Sequence, residues 1–488
     1  MQPQASQQSA SLALDLNHVP AVVRHIHLMG ICGTGMGALA GMLHRAGYQV
    51  TGSDQQVYPP MSDFLAGLGI PVQSGYGPDN LAPRPDLVVV GNVITRQNPE
   101  ALALAAAAIP YVSFPQAIRH FFLAGRASLV VTGTHGKTTT ASLLATLLQA
   151  AGLEPGFMIG GLVQAFGRNF NVNDSPYFVL EGDEYDTAFF DKGPKFLHYQ
   201  PQIAIITSIE FDHADIYADL AAVKKSFARL VSILPSDGCL VACQDDPVVQ
   251  EIVAAAHCEV RGYGMADEAE WQLQNLTVRP GCTTFSVLRR GELLGEFTSP
   301  MPGRHNALNA LAVIALLHRL GVAPPVVAAG LREFKGVRRR QEVRGEVDGI
   351  TVIDDFAHHP TAVSETLLAL RQAYPGRRLV TVFEPRTNTS MRNVFQEKYV
   401  TAFDSADVAI IREPPALHKI PEMERFSSQR LVDDLTQRGR VARYFSDTDA
   451  ILDFLAKTVV RDDVIAILSN GGFDNIHSRL LAMLAARA

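Results

Sequence analysis

Short apolar runs alternate with helical patterns along almost the whole chain, and this alternation constrains the fold more than any other feature. Leu87–Val90 and Ile203–Ile206 are continuous apolar runs, which are typical of strands buried on both faces of a parallel sheet. Between such runs lie segments with helical spacing, such as Leu143, Leu144 and Leu147. The pattern predicts an α/β protein whose parallel sheets are covered by helices on both faces.

The length of 488 residues predicts more than one domain. We expect a flexible Gln/Ser/Ala-rich tail over residues 1–21, without the basic segment of a signal peptide. A Rossmann-like domain follows over 22–125. A central domain with a P-loop-type ATPase sheet follows over 126–336, and a second Rossmann-like domain over 337–488.

Composition and charge exclude several classes of function. The net charge of −7 argues against non-specific nucleic-acid binding, which needs clustered Lys and Arg. The longest apolar stretch, residues 101–109, is too short to span a bilayer, so we expect a cytoplasmic protein with no membrane association. Its five sparse cysteines are typical of free thiols in a reducing compartment. No obligate protein partner is evident.

A strand at 128–131 runs into a glycine-containing loop and then into a helix. Such a loop can hold a triphosphate with backbone N–H groups, while its lysine reaches the outer phosphates and its threonine binds Mg²⁺. An ordinary strand-to-helix turn is the alternative, and the spacing is shorter than in the standard P-loop. The residues of this ATP-binding loop are Gly133, Thr134, His135, Gly136, Lys137, Thr138 and Thr139.

Acidic residues follow two further strands. Glu181 begins the stretch EGDEYD, and His213 follows Asp212 after the strand at 203–206. The carboxyl ends of strands form the ligand crevice of open α/β sheets, so these groups are candidates for Mg²⁺ beside the triphosphate. A solvated acidic surface loop is the bland alternative.

Three other stretches are ambiguous from their residues alone. The N-terminal loop Gly30, Gly33, Gly35 and Gly37 could hold NAD(P), hold another diphosphate such as a nucleotide sugar, or form a tight turn. Asn306 and Asn309 lie at the start of a predicted helix, where their side chains could contact adenine or cap the helix. The third stretch, with Asp354, Asp355, His358 and His359, forms either a binding site at the end of a strand or a capped turn before a helix.

Taken together, these motifs resemble the Mur ligase family over residues 22–485. The resemblance is carried by GTGM at 33–36, GTHGKTT at 133–139, EGDE at 181–184, DH at 212–213, HNxxN at 305–309, RR at 338–339 and DxAHHP at 355–360. It implies that Lys137, Glu181, His213 and Arg339 are catalytic, and that Thr138, Glu181 and His213 hold Mg²⁺. ATP would also contact Asn306, Asn309, Arg339 and Asp355.

The resemblance further implies that the N-terminal loop binds the UDP of UDP-N-acetylmuramate, through Gly33, Thr34, Gly35, Met36 and Asp54. The stretches 91–99, 181–195, 383–389 and 469–473 are similar to the branch of the family that adds the murein tripeptide L-alanyl-γ-D-glutamyl-meso-diaminopimelate. Arg386, Asn388 and His358 are then the candidates for contacting this peptide, although Arg386 could equally be a surface ion-pair partner.

The predicted reaction is therefore ATP-dependent joining of the muramyl lactyl carboxylate to the tripeptide amine through an acyl phosphate, in peptidoglycan recycling. Three alternatives are weighed against it. The first is the branch that adds free L-alanine. The second is a nicotinamide-dependent oxidoreductase, which leaves Lys137 without a purpose. The third is a non-catalytic nucleotide sensor, which the retention of Lys137, Glu181 and His213 disfavours.

Overall fold

Three β-sheets with flanking helices organise the protein. The structure, a computed structural model, describes residues 9–487. The first sheet is entirely parallel with the order β3-β2-β1-β4-β5, as expected of a Rossmann-like unit. Its elements are β1 (His25–Met29), α1 (Thr34–Arg45), β2 (Gln49–Asp54), α2 (Met61–Gly67), β3 (Val72–Ser74), β4 (Leu87–Val90), α3 (Pro99–Ala107), β5 (Tyr111–Ser113) and α4 (Phe114–Ile118).

The second sheet has ten strands in the order β15-β14-β13-β12-β11-β10-β6-β9-β7-β8, and parallel pairs form its centre. Its first elements are β6 (Ala127–Thr132), α5 (Lys137–Ala150), β7 (Gly156–Val163), β8 (Arg168–Asn171), β9 (Tyr177–Gly182), β10 (Ile203–Ile206) and α6 (Leu220–Ile233). The others are β11 (Cys239–Cys243), α7 (Pro247–Val253), β12 (Glu259–Gly264), β13 (Trp271–Arg279), β14 (Cys282–Arg289), β15 (Glu292–Ser299), α8 (Arg304–Arg319) and α9 (Pro324–Arg332).

The third sheet has the order β16-β17-β21-β18-β19-β20, and all its pairs are parallel except β16–β17. Its elements are β16 (Glu342–Val347), β17 (Ile350–Asp355), α10 (Pro360–Ala373), β18 (Leu379–Phe383), α11 (Tyr399–Ala402), β19 (Val408–Arg412), α12 (Ser428–Gln437), β20 (Val441–Phe445), α13 (Thr448–Thr458), β21 (Val464–Leu468) and α14 (Ile476–Ala485). The predicted α/β class with three sheets is confirmed.

The hydrophobic cores show how the sheets are joined. One core runs from the first sheet into the second, and Phe170 of β8 packs against α1 at Gly41. The third sheet has cores of its own on its two faces. The third unit contacts the second through polar pairs such as Asn388–Asp215 and through Phe211, which packs against the core of the third unit.

Residues 10–17 differ from the expectation of a flexible tail. Ala10 is buried, its N–H donates to the carbonyl of Arg96, and the Asn17 side chain bonds to Tyr111 and Gln116 of the first unit. These contacts give the segment partners that a polar tail lacks. Residues 1–8 of the expected tail lie outside the described residues. Within residues 9–487, no helix combines the length and apolarity that crossing a membrane requires.

Candidate active site

The loop between β6 and α5 has the form of a phosphate cradle. Gly133 and Gly136 have φ angles of +128° and +79°, which L side chains rarely adopt. These two turns bring Lys137 to the first position of α5, where the free N–H groups of a helix favour an anion. Thr207, at the end of the neighbouring β10, supports the loop by donating to the carbonyl of His135 at 2.5 Å. The local geometry is that of a nucleotide-phosphate site.

Lys137 lies inside the site. Its Nζ donates to the carbonyl of Gly133 at 2.6 Å and to Glu184 Oε2 at 2.9 Å. Burial opposes its charge, but the carboxylates of Glu184 and Asp183 outweigh burial and raise the pKa of Lys137. The lysine is therefore a cation at neutral pH, and Glu184 holds it at the mouth of the loop.

Thr138 and Glu181 form the second contact across this loop. The Thr138 hydroxyl donates to Glu181 Oε1 at 2.8 Å, and Glu181 Oε2 accepts from the Gly160 N–H at 2.8 Å. Burial, together with the neighbouring Asp183 carboxylate, raises the pKa of Glu181. Nearby positive charges thus do not balance the carboxylates around Glu181. The oxygen atoms of Thr138 and Glu181 are ligands of the kind that Mg²⁺ prefers.

His213 approaches the same acidic stretch from the loop after β10. Its Nε2 is 3.6 Å from Glu184 Oε1, and its ring lies 4.9 Å from that of Tyr185. Burial works against protonation, but Glu184 and Asp212 raise the pKa of His213 overall. The structure therefore brings Lys137, Glu184 and His213 into one chain of contacts.

A cavity of about 310 Å³ opens beside the phosphate loop, between the second and third units. This is large enough for part of a nucleoside triphosphate. The sequence-predicted residues in its lining are His135, Gly136, Thr139, Asn306, Asn309 and Asp355.

The two asparagines project from the first turns of α8. Asn309 lies against Gly136, where a Cβ would come within 2.6 Å of the asparagine Oδ1. Asn306 donates to the Pro302 carbonyl at 2.8 Å and to Gln341 Oε1 at 3.1 Å. Asp355, on the opposite wall, accepts the N–H groups of Gln341 and Ala357 at 2.7 and 2.8 Å. Burial raises the pKa of this carboxyl group.

Arg339 occupies a different place from the one expected for a phosphate ligand. Its Nη2 donates to the carbonyls of Ser469 and Gly471, both at 2.6 Å, and its Nε is 3.5 Å from Asp354. The next residue, Arg340, instead donates to the Thr138 hydroxyl at 2.9 Å. The sequence has three consecutive arginines, and a turn with φ of +60° at Arg339 decides which of them faces the loop. In this structure the arginine that contacts the phosphate loop is Arg340.

The N-terminal glycine loop lies on the far side of the acidic stretch. Gly33, Thr34 and Gly35 are exposed at the start of α1, whereas Met36 is buried. Asp54, at the end of β2, accepts the Cys32 N–H at 2.9 Å and so fixes the turn. An exposed helix start with small residues permits close approach of a diphosphate.

A row of side chains joins this loop to the phosphate loop. Gly35 lies against the ring of Phe114, with its Cβ position 3.5 Å away, and Lys195 Nζ is 5.8 Å from the centroid of the same ring. Lys195 is also 4.0 Å from the Tyr185 ring centroid and 2.9 Å from Asp183 Oδ2. Tyr185 then packs on His213. The two glycine loops therefore face one continuous site.

The three peptide-binding candidates lie in or beside the third unit. The Asn388 side chain donates to Asp215 Oδ2 at 2.8 Å, and His358 Nε2 is 3.9 Å from Asp212 Oδ2. Arg386 lies beside Gly471 and 3.6 Å from Glu384. Asn388 and His358 thus contact the loop that carries His213, and Arg386 lies further into the third unit.

Sequence reasoning did not single out Arg340, Glu184 or Lys195. Glu184 falls in the acidic stretch EGDEYD that was predicted as a whole to lie near Mg²⁺, and Lys195 falls in the stretch 181–195 that carried the family resemblance. The sequence signal for Glu184 was its place among other acidic residues directly after a strand, whereas Lys195 had no such signal. That signal does not say which charges face inward.

The fold and the site define a nucleoside-triphosphate-dependent enzyme of three α/β units. The chain matches the Mur ligase family catalytic domain over residues 25–126, the Mur ligase middle domain over 131–317 and the Mur ligase glutamate ligase domain over 339–471. These matches span most of the sequence. The chain belongs to the Mur ligase family, and it is an ATP-dependent ligase that forms amide bonds.

Individual relatives are also similar over nearly their whole length. The UDP-N-acetylmuramate–L-alanyl-γ-D-glutamyl-meso-2,6-diaminoheptandioate ligase of Escherichia coli K12 is 41% identical, over 95% of this chain and 99% of that protein. A UDP-N-acetylmuramate–L-alanine ligase of Caldanaerobacter subterraneus is 33% identical, over 94% and 97%. The crystal structure of a murein peptide ligase from Psychrobacter arcticus is 34% identical, with a TM-score of 0.71 over 95% and 99%.

Proposed function

We propose that this ligase joins the lactyl carboxylate of UDP-N-acetylmuramate to the amine of L-alanyl-γ-D-glutamyl-meso-diaminopimelate, as a cytoplasmic enzyme of peptidoglycan recycling. The observation that carries the proposal is the row of contacts from Gly35 through Phe114, Lys195, Tyr185 and His213 to Glu184 and Lys137. It gives a nucleotide sugar at one glycine loop access to ATP at the other.

On the ATP side, we assign the outer phosphates to Lys137 and Arg340. Adenosine would occupy the cavity between Asn306, Asn309 and Asp355. Lys137 must exchange its contact with Glu184 for the phosphates when ATP binds, because one ammonium group cannot serve both at full strength. Glu184, partnered by His213, would then remain as the buried carboxylate that faces the reacting groups.

Thr138, Glu181 and His213 are the residues that would hold Mg²⁺. The ion supplies neutralisation of charge on the phosphoryl oxygens. The acidic stretch without it carries Glu181, Asp183 and Glu184 against Lys137 and Lys195, and burial together with the Asp183 carboxylate raises the pKa of Glu181. The chain therefore provides the negative charge that the ion balances.

The chemistry follows from the weakness of a carboxylate as an acyl donor. A lactyl carboxylate oxygen attacks the γ-phosphorus, the bond to the β-phosphate oxygen breaks, and ADP leaves. The acyl phosphate that results has phosphate as its leaving group in place of oxide. The alanyl amine attacks the carbonyl carbon, loses a proton, and displaces phosphate. Lys137 and Arg340 stabilise the charge of the transferring phosphoryl group by position and electrostatics.

The choice of tripeptide over free L-alanine is supported by the relatives. The tripeptide-adding enzyme of Escherichia coli is 41% identical to this chain, while an alanine-adding relative of similar coverage is 33% identical. Asn388 and His358 also contact the loop of His213, where an incoming amine would arrive. An oxidoreductase has no place in this family, so the glycine loop at 30–37 is assigned to UDP.

The test is a panel of amine acceptors. Purified enzyme with Mg²⁺, ATP and UDP-N-acetylmuramate is supplied with tripeptide, with L-alanine or with no acceptor, and phosphate release is followed. We expect a kcat/KM for tripeptide at least tenfold above that for L-alanine, and no steady release without acceptor. A preference for L-alanine would assign the chain to the other branch. Full phosphate release by Lys137→Ala would refute the ATP site itself.

A further inference from the structure

Three side chains from two domains converge beside the nucleotide cavity without a role in the proposed reaction. They are His135 in the phosphate loop, Glu210 in the loop after β10, and His359 at the start of α10. One nitrogen or oxygen atom from each lies within 4.8 Å of the others. The backbone of His135 belongs to the phosphate cradle, but its imidazole points to this cluster and not to Lys137.

One ring nitrogen of His359 faces a carboxylate. Its Nε2 lies 3.3 Å from the Phe211 carbonyl, which only accepts, so this nitrogen is assigned the proton. Its Nδ1 is then an acceptor, lying 3.3 Å from the Thr361 N–H and 3.9 Å from Glu210 Oε2. Because Nδ1 has a single lone pair, a cation bound there would take the place of the contact with the Thr361 N–H, and the facing carboxylate oxygen of Glu210 would be its second ligand.

His135 completes the arrangement. Its Nε2 is 3.3 Å from Glu210 Oε1. The His135 Nε2 atom is buried and has no hydrogen-bond partner of acceptable geometry within residues 9–487. A buried imidazole nitrogen without a partner is uncommon, because leaving a buried polar group unsatisfied is costly. Three electron-pair donors thus point into one small space.

The protonation states agree with this geometry. Burial and the neighbouring His135 lower the pKa of His359 to about 3, so its ring is neutral at pH 7. Burial acts against ionisation of Glu210, but His135 and His359 lower the pKa of its carboxyl group to about 2. A neutral imidazole and an ionised carboxylate are the forms that ligate metals.

We propose that His135, Glu210 and His359 bind a transition-metal dication of the Zn²⁺ type. Two imidazoles and one carboxylate with an open fourth position form a common zinc-binding set. With bonds of about 2.1 Å, tetrahedral ligands lie roughly 3.4 Å apart. His135 Nε2 lies 3.3 Å from Glu210 Oε1, and His359 Nδ1 lies 3.9 Å from Glu210 Oε2. Both distances approach this value. Mg²⁺ prefers oxygen ligands, which separates this site from Thr138 and Glu181.

The ion would join the second unit to the third. His135 and Glu210 belong to the second unit, while His359 belongs to the third, and the nucleotide cavity lies between them. The second ring nitrogen of His359 is held by the Phe211 carbonyl, as is usual for metal-binding histidines. Bound Zn²⁺ therefore clamps the domains together and slows ADP release. This regulation goes beyond the proposed function, and the binding itself does not require ligase activity.

The experiment measures Zn²⁺ binding to the full-length protein by equilibrium dialysis, with excess Mg²⁺ and without nucleotide. Wild type and the exposed-histidine control His44→Gln should bind one Zn²⁺ per chain. Glu210→Gln and His359→Gln should each bind at least tenfold more weakly, since even outer-shell partners cost about 10–100-fold. Circular dichroism checks folding, and Co²⁺ should show a tetrahedral visible band in wild type that both variants lose.

Equal Zn²⁺ affinity in wild type, Glu210→Gln and His359→Gln would overturn the site. Loss of Zn²⁺ binding in His213→Ala but not in Glu210→Gln would also overturn it, because the ion would then occupy the Mg²⁺ position. The clamp has its own readout. Added Zn²⁺ should lower the kcat of wild type and of His44→Gln. The kcat of His359→Gln should stay at the value that this variant has with Mg²⁺ alone. An unchanged wild-type kcat at saturating Zn²⁺ would contradict the clamp.

Discussion

At the scale of single residues, the phosphate loop depends on a glycine for two separate reasons. Gly136 has a φ of +79°, and a Cβ there would also meet Asn309 Oδ1 at 2.6 Å. Gly152 has a φ of +75° with open space around it. Both glycines therefore have a left-handed backbone, but only Gly136 lies against Asn309, the side chain that we assign to ATP binding.

We predict that Gly136→Ala and Gly152→Ala each lose about 1 kcal/mol of folding free energy, because both place a Cβ in the left-handed region. Gly136→Ala should in addition weaken ATP binding at least tenfold, since Asn309 must move. Isothermal titration calorimetry with a non-hydrolysable ATP analogue measures the second effect. Equal ATP affinity in the two variants would show that the contact with Asn309 is unimportant.

The neighbouring arginines allow a second comparison at this scale. Arg340 donates to Thr138, while Arg339 is bound to the carbonyls of Ser469 and Gly471. Arg340→Ala should therefore reduce kcat/KM for ATP by at least tenfold with little change in melting temperature. Arg339→Ala should lower the melting temperature, because it leaves buried carbonyls without donors. Steady-state kinetics and thermal unfolding of both variants check this, and the reverse pattern would restore Arg339 to the phosphates.

Most of the candidate site was readable from the sequence, because its residues follow strands and begin helices. Lys137, Thr138 and Glu181 could be placed in this way, and the structure puts them in contact. The orientation of Arg339 could not, because a left-handed turn at one non-glycine residue leaves no mark in the pattern of apolar residues. The cluster of His135, Glu210 and His359 joins positions more than two hundred residues apart, which spacing cannot reveal.

At the scale of elements, buried strands were predicted more accurately than edge strands. The runs at 87–90 and 203–206 match β4 and β10 to the residue, since both are buried along their whole length. The edge strands β16 and β20 were not predicted, because their side chains are partly exposed and their sequences are mixed in polarity. In the stretch 237–300 the buried strands β11 and β12 are parallel, whereas the more exposed β13, β14 and β15 form antiparallel pairs.

The contact between α8 and α10 should make domain association sensitive to acid. Glu365 of α10 accepts from Arg304 of α8 at 2.6 Å, and His305 lies 3.7 Å away. His305 and Arg304 lower the pKa of Glu365 to about 2, against the effect of burial. Since the folded value lies below the ordinary value near 4.5, the stabilisation is present above pH 4.5 and is lost as pH falls towards 2.

We therefore predict that Glu365→Gln melts at a lower temperature than wild type at pH 5, and that this difference shrinks as pH falls from 5 to 3. The full contribution is at most about 3 kcal/mol. Thermal unfolding of both proteins across this range provides the measurement. A difference that stays constant or grows on acidification would show that Glu365 is not ionised in the folded contact.

At the scale of the whole molecule, the hydrophobic cores join the first two units to each other and are separate in the third. The first and second units share a continuous apolar core, whereas the third has cores of its own and meets the second through Phe211 and through polar pairs such as Asn388–Asp215 and Thr361–Glu210. Polar contacts can be exchanged at little cost, so we expect the third unit to open for ATP and to close before chemistry. The two glycine loops belong to the shared part, and their relative position is therefore fixed throughout the cycle.

The central claim is that ATP bound at Lys137 activates a carboxylate presented from the N-terminal glycine loop. It is tested most directly with UDP-N-acetylmuramate carrying ¹⁸O in its lactyl carboxylate, supplied with ATP, Mg²⁺ and tripeptide. Mass spectrometry of the released phosphate should find one ¹⁸O atom per amide bond formed, because the acyl phosphate passes its bridging oxygen to phosphate. Phosphate without ¹⁸O alongside full amide product would contradict the account.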